Sequence, residues 1–262
     1  MTTSLSLRPP QPFGIDAAPS APGPIPFSRL VRVEWAKAIG TRAARWLLAL
    51  VALSTAGMML VPVLSPTTFD QTYNSYLRVA SLGLNILLPV VAILLFTGEW
   101  SQRSVMTTFT QEPRRIRVLN AKLAVSMVLG GGGGAVFGGV VAAAGVGLAS
   151  ASGRALEANL TVGAITSYLL YVLLNVLAAV ALGALLQSSA AAIAASFALP
   201  AAVALLGTAS TLLEWIDMAT AWKWMLENDW AGHVPQISVS VLFWVAVPLA
   251  AGVVRTIRRD VA

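Results

Sequence analysis

Six stretches of this chain contain no Asp, Glu, Lys or Arg and are each long enough to cross a hydrocarbon layer. They run approximately over 46–64, 79–98, 123–150, 162–187, 188–213 and 236–254. A core about 30 Å thick takes about 20 helical residues to cross, and one charge at its centre costs about 2.5–3.5 kcal/mol. Transmembrane β-strands would instead alternate apolar and polar residues over segments of about ten. The expected fold is all-α: a polytopic membrane protein with six transmembrane helices. The composition agrees. Charged residues are 11% of the 262 positions and apolar ones 57%, against roughly 25% charge in a soluble domain. The fourth and fifth stretches are separated only by Gln187, Ser188 and Ser189, which implies a very tight turn.

The placement of Lys and Arg orients the spans. Arg8, Arg29, Arg32, Lys37, Arg42 and Arg45 precede the first, and Arg103, Arg114, Arg115, Arg117 and Lys122 lie between the second and third. Arg255, Arg258 and Arg259 follow the last, while the other side holds only Arg78, Arg154 and Lys223. This bias predicts that both termini and the second-to-third connection lie in the cytoplasm of a cell membrane. The chain has no cysteine, which excludes disulfides, thiolate metal sites and cysteine nucleophiles. The net charge of +6 is read as topology and not as nucleic-acid binding.

Residues 1–26 include seven prolines and no apolar run, and are expected to be a disordered cytoplasmic tail, not a signal peptide. Residues 27–45 read as an amphipathic interfacial helix, with Val31, Trp35, Ala38 and Ile39 on one face. Arg32, Glu34, Lys37 and Thr41 lie largely on the other, Val33 being an exception. A basic flank that only sets topology is the alternative. The six-helix domain occupies 46–254, and 255–262 form a basic cytoplasmic tail.

Between the second and third spans Pro113 divides the connection. Its first half can form a short helix with Val105, Met106 and Phe109 on one side, and its second is a basic ramp into the third span. Gly130, Gly134 and Gly138 form a small-residue face for close helix packing, within a run of five glycines. Pro89 and Pro200 fall inside spans, where each frees a carbonyl. Asn85, Tyr171 and Asn175 are the main polar groups at membrane depth. They are candidates to line a pathway, with interhelical hydrogen bonding as the plainer use. Trp215, Trp222, Trp224 and Trp230 alternate with Asp217, Glu227 and Asp229 before the last span, as expected of short outer helices or an aromatic belt. His233, the only histidine, has no companions for a metal site.

The connection resembles that of the ABC-2 type transporter permeases. Glu99-Trp100 closes the second span, Thr107 and Thr108 follow, and Pro113-Arg114-Arg115 leads to Ala121-Lys122 at the third. Glu34 and Lys37, as Glu-x-x-Lys before the first span, are similar to the family as well. The resemblance implies a permease subunit of an ATP-binding-cassette exporter, paired as a homodimer or with a second permease. A separate ATPase subunit would carry ATP and Mg. Glu99, Arg103, Phe109, Pro113, Arg114 and Arg115 would form the cytoplasmic coupling helix that meets it. Glu34, Trp35 and Lys37 would lie beside that helix, and helices before the last span would be re-entrant. No cofactor is expected on this chain, and no enzyme activity: phosphate-loop, zinc-protease and serine-hydrolase motifs are all missing. The alternative function is a non-transporting sensor or assembly scaffold that recruits a soluble partner through the same loop.

Overall fold

The computed structural model describes residues 25–101, 108, 110, 112, 114–157, 159–207 and 210–258. Six helices in it are long and apolar enough to span a membrane, and no β-strand occurs among the described residues. The chain is a multi-pass membrane protein. A lead helix, α1 (Phe27–Gly40), is followed by α2 (Arg42–Leu64), α3 (Tyr73–Ser101) and α4 (Arg115–Ala151). Then come α5 (Val162–Leu186) and α6 (Ser189–Gly207). The short α7 (Thr211–Glu214) and α8 (Met218–Leu226) precede α9 (Val234–Arg258). The expected tail over 1–26 lies outside the described residues except for Ile25 and Pro26.

Span boundaries depart from the sequence reading where polar residues find partners. The segment 27–45 is not one helix. Thr41 is extended, and its hydroxyl accepts from the Ala44 amide at 3.1 Å, capping α2 and turning the chain between α1 and α2. The basic ramp belongs to α4, which starts eight residues before the apolar run. Arg115 donates to the Thr256 carbonyl at 2.9 Å, and Arg117 to Glu112 at 2.9 Å and the Ile25 carbonyl at 2.6 Å. The fifth span stops at Gly207 rather than continuing to 213. Between α5 and α6 the turn is two residues long. Gln187 adopts a left-handed conformation (φ 54°) and donates to the Thr256 hydroxyl at 2.9 Å, which offsets a backbone state that is costly for a non-glycine residue.

The helices α3 and α5 form the centre. Tyr76, Leu84, Ile93 and Phe96 of α3 meet Val172, Val176 and Val180 of α5, and all are essentially inaccessible. The helices α2 and α6 lie outside and expose Leu53, Leu60, Phe197 and Leu205, as expected of surfaces that face lipid tails.

Glycine sets how closely α4 approaches the centre. A Cβ at Gly134 would lie 2.7 Å from Leu88, at Gly130 3.1 Å from Val176, and at Gly138 against the Tyr168 hydroxyl. That hydroxyl donates to the Ala135 carbonyl at 2.7 Å. The glycine run is thus a packing face against two helices. Residues Ser126–Gly133 adopt a π-helical turn, which backbone lacking side chains accommodates readily. The helices α2 and α3 also cross closely, and a Cβ on Gly83 would stand 2.5 Å from the Thr55 Cα. Gly83→Ala should therefore cost about 1–3 kcal/mol by overpacking. Thermal unfolding in detergent should show a lower midpoint for it, whereas Gly57→Ala, which meets nothing within 4 Å, should match the parent.

Candidate functional site

At the end of the bundle that carries α1 and most of the arginines, two lysines and two glutamates from three helices form one cluster. Lys122, in the second turn of α4, donates to Glu34 of α1 at 2.8 Å and lies 3.3 Å from Glu99 of α3. Lys37, one turn after Glu34, reaches Glu34 at 2.7 Å and Glu99 at 2.5 Å. The side chain of Lys122 is 2% exposed, those of Glu34 and Glu99 8% and 12%, and that of Lys37 44%. The charges sum to zero, so each buried ion has its counter-ion within the cluster.

This geometry departs from the helical projection of α1 at Glu34. The projection sets Glu34 and Lys37 opposite Val31, Trp35, Ala38 and Ile39. The structure instead buries Glu34 and Ala38 against the bundle and leaves Val33, Trp35 and Ile39 exposed. Ion pairing with α3 and α4 decides the roll, and the exposed apolar side chains are free for lipid.

Lys37 holds its proton more tightly than a free lysine. Burial pushes its pKa down from the ordinary 10.5, but hydrogen bonds and attraction from Glu34 and Glu99 outweigh it, and the net shift is upward. A lysine with a raised folded pKa contributes its stabilisation fully below the unfolded value and loses it as pH climbs through the folded one. Lys37 is therefore charged and in place throughout the neutral and mildly alkaline range.

The other expected loop residues are dispersed. Arg114 is exposed, its amide meeting Glu112 at 3.3 Å, and Arg115 is tied to the end of α9. Arg103, Phe109 and Pro113 lie outside the described residues.

A cavity of about 490 Å³ occupies the opposite half of the bundle, between α3, α5, α6 and α8. It brings together Asn85, Tyr171 and Asn175, the three polar candidates from the sequence. Pro89 and Pro200 line it too, as do Asn85 and Ser196, each four residues before one of them. A proline has no amide to offer the carbonyl four residues back, so the carbonyls of Asn85 and Ser196 lose their usual helical donors. At the mouth Arg78 pairs with Glu227 at 2.7 Å.

The tryptophan-rich segment caps this half. Trp230 donates to Ser167 at 2.9 Å, Trp224 stacks on His233 at 3.9 Å between centroids, and Trp244 of α9 donates to the Ile216 carbonyl at 2.7 Å. No group of three metal-ligating residues occurs among the described residues. Sequence reasoning left Lys122, Trp222 and the Arg78–Glu227 pair out of its site residues. Lys122 carried a usable signal, since it directly precedes one apolar run and Glu99 directly follows another, which sets opposite charges at two span edges.

Removing one member of a buried pair leaves its partner uncompensated, at about 3–5 kcal/mol. Lys122→Met should therefore unfold at a distinctly lower temperature than Lys37→Met, whose side chain already shares its charge with solvent. Equal midpoints for the two variants in the same detergent would contradict this ranking.

No protein-family model matches the chain, and neither does any curated protein or solved structure.

Proposed function

We propose that this chain is the membrane-spanning subunit of an ATP-driven exporter, with the cavity as part of its substrate pathway. One observation carries the reading: α3 is a single unbroken helix that holds Glu99 of the ion cluster at one end and Arg78, Asn85 and Pro89 of the cavity along its length. The cluster ties the end of α3 to the start of α4, the two helices that flank the connection. A push on that connection reaches the cavity wall through a rigid helix. The ordered likeness of Glu99-Trp100, Pro113-Arg114-Arg115 and Ala121-Lys122 to the ABC-2 type permeases supports the same reading.

In this account the arginine-rich end faces the cytoplasm of a cell membrane. There α1 lies along the headgroup layer, and a separate ATPase docks on the segment after Ser101. The short helices α7 and α8 dip into the opposite surface. A second copy, or a related permease, packs against the exposed apolar faces. Nucleotide drives the transition only by favouring one arrangement of the helices over the other.

Arg114 is the cleaner probe of coupling, because Arg115 also holds α4 to α9. The chain should be co-expressed and purified with candidate stand-alone ATPase subunits. A partner should co-purify, hydrolysis should be stimulated by the chain, and Arg114→Glu should return hydrolysis to the unstimulated level without lowering the unfolding midpoint. ATP turnover by the chain alone, or full stimulation by Arg114→Glu, would contradict the proposal.

A further inference from the structure

The charges around the mouth of the cavity do not cancel. Arg78 and Lys223 face a single acid, Glu227, so the lining carries a net charge of +1. Arg78 holds Glu227 at 2.7 Å. Lys223 is exposed and forms no ion pair with a described residue. It stands one helical turn before Glu227, but an exchange of partners would still leave one cation over. Asp217 and Asp229, which flank α8, are absent from the lining. Asp217 caps α8, accepting from the Ala219 amide at 3.0 Å and the Thr220 hydroxyl at 2.5 Å, and Asp229 lies 3.6 Å from His233.

Away from these charges the wall turns largely apolar. Leu82 and Phe197 line it and are accessible, and Pro89 lies about 16 Å farther along α3 than Arg78. The volume of about 490 Å³ falls within the range of about 300–1,000 Å³ typical of small-molecule sites. Trp222 is buried behind this wall, and its unpartnered indole N–H has almost no accessible surface, so it offers nothing to a ligand. Surplus positive charge at the mouth and apolar walls beyond it match an amphiphile with one anionic head. A cationic head would meet an excess of its own sign, and a neutral head would gain nothing from Lys223.

We infer that the cavity binds a long-chain carboxylate, whose head pairs with Lys223 at the mouth and whose chain lies along Leu82, Phe197 and Pro200. Arg78 gives one nitrogen to Glu227 and keeps its other donors for the same head. Hydrogen bonds between ionised partners are the strong ones, and the flexible lysine stem lets the ammonium follow the carboxylate. This names a substrate class for the exporter reading and rests on that reading only for the ligand being cargo. Binding itself requires no ATPase.

The test uses the full chain in phosphatidylcholine nanodiscs without a partner. The probe is decanoate bearing a chain diazirine, and labelled residues are mapped by mass spectrometry. Saturable label should appear on cavity residues such as Leu82 and Phe197, while label on lipid-facing Leu53 should not saturate. Unlabelled decanoate should displace the cavity label, and decanoylglycerol and decyltrimethylammonium should do so far less well. Lys223→Gln removes the surplus charge, so saturation should need about tenfold more probe, as expected for one charge-assisted hydrogen bond. Lys223→Glu should abolish saturable labelling and Lys223→Arg should retain it. Ser196→Phe, which fills the cavity from α6, should abolish it as well, whatever the Lys223 variants do to folding. Label that never saturates, or that is confined to positions such as Leu53 and Leu205, would overturn the proposal. So would equal displacement by decyltrimethylammonium, or a folded Lys223→Glu that behaves as the parent. These results are independent of whether Arg114→Glu uncouples an ATPase, so the ligand class and the transport reading can fail separately.

Discussion

The pairing of Glu34, Lys37, Glu99 and Lys122 is the constraint on which the architecture of the arginine-rich end depends. An ionised side chain taken from water loses several kcal/mol of solvation, and only a well-placed counter-ion returns it. Lys122 enters α4 just before the apolar run and Glu99 leaves α3 just after one, so both are fixed where water is scarce. Each has a second partner on α1. The lead helix is therefore held by its polar side, and its apolar side chains, Trp35 and Ile39 among them, turn outward. One set of contacts settles the roll of α1, the separation of α3 from α4, and the point from which the intervening segment departs.

The remainder of the bundle is arranged around two different ways of bringing helices together. On the α4 side, glycine removes the side chains that would keep backbones apart, and Leu88, Val176 and Tyr168 fill the space. On the α6 side packing is loose, with Ala192 and Gly207 the buried positions of that helix, and here a cavity opens. Proline occurs on both helices flanking it, so the same region combines free volume with backbone polarity. The central helix α3 takes part in both arrangements and also carries Glu99. One continuous helix therefore carries residues of both the ion cluster and the cavity.

Much of this was legible in the sequence, for identifiable reasons. Apolar runs without charge expose the spans because lipid tolerates so few exceptions, and Gln187-Ser188-Ser189 betrayed the tight turn between α5 and α6. Asn85, Tyr171 and Asn175 stood out as polar groups at depth, and they share one cavity wall. The burial of Glu34 was not legible. A helical projection assumes that charges seek solvent, and it holds no information that Lys122, 88 residues from Glu34, and Glu99, 62 residues from Lys37, wait as partners. The start of α4 was hidden for the same reason, since Arg115 and Arg117 are satisfied by the end of α9 and by Ile25 and Glu112. The unpaired indole of Trp222 could not be told from an aromatic belt, because four tryptophans in one segment look alike until each acceptor is located.

Whether the cluster acts as one unit is best measured by a double-mutant cycle between α1 and α4. Glu34→Gln, Lys122→Met and the combined variant would be unfolded thermally in the same nanodiscs as the parent. If the two residues hold each other, the combined loss should fall short of the sum of the single losses, with a coupling of about 1–3 kcal/mol. Strictly additive losses would show that α1 is attached by something else and would contradict the account.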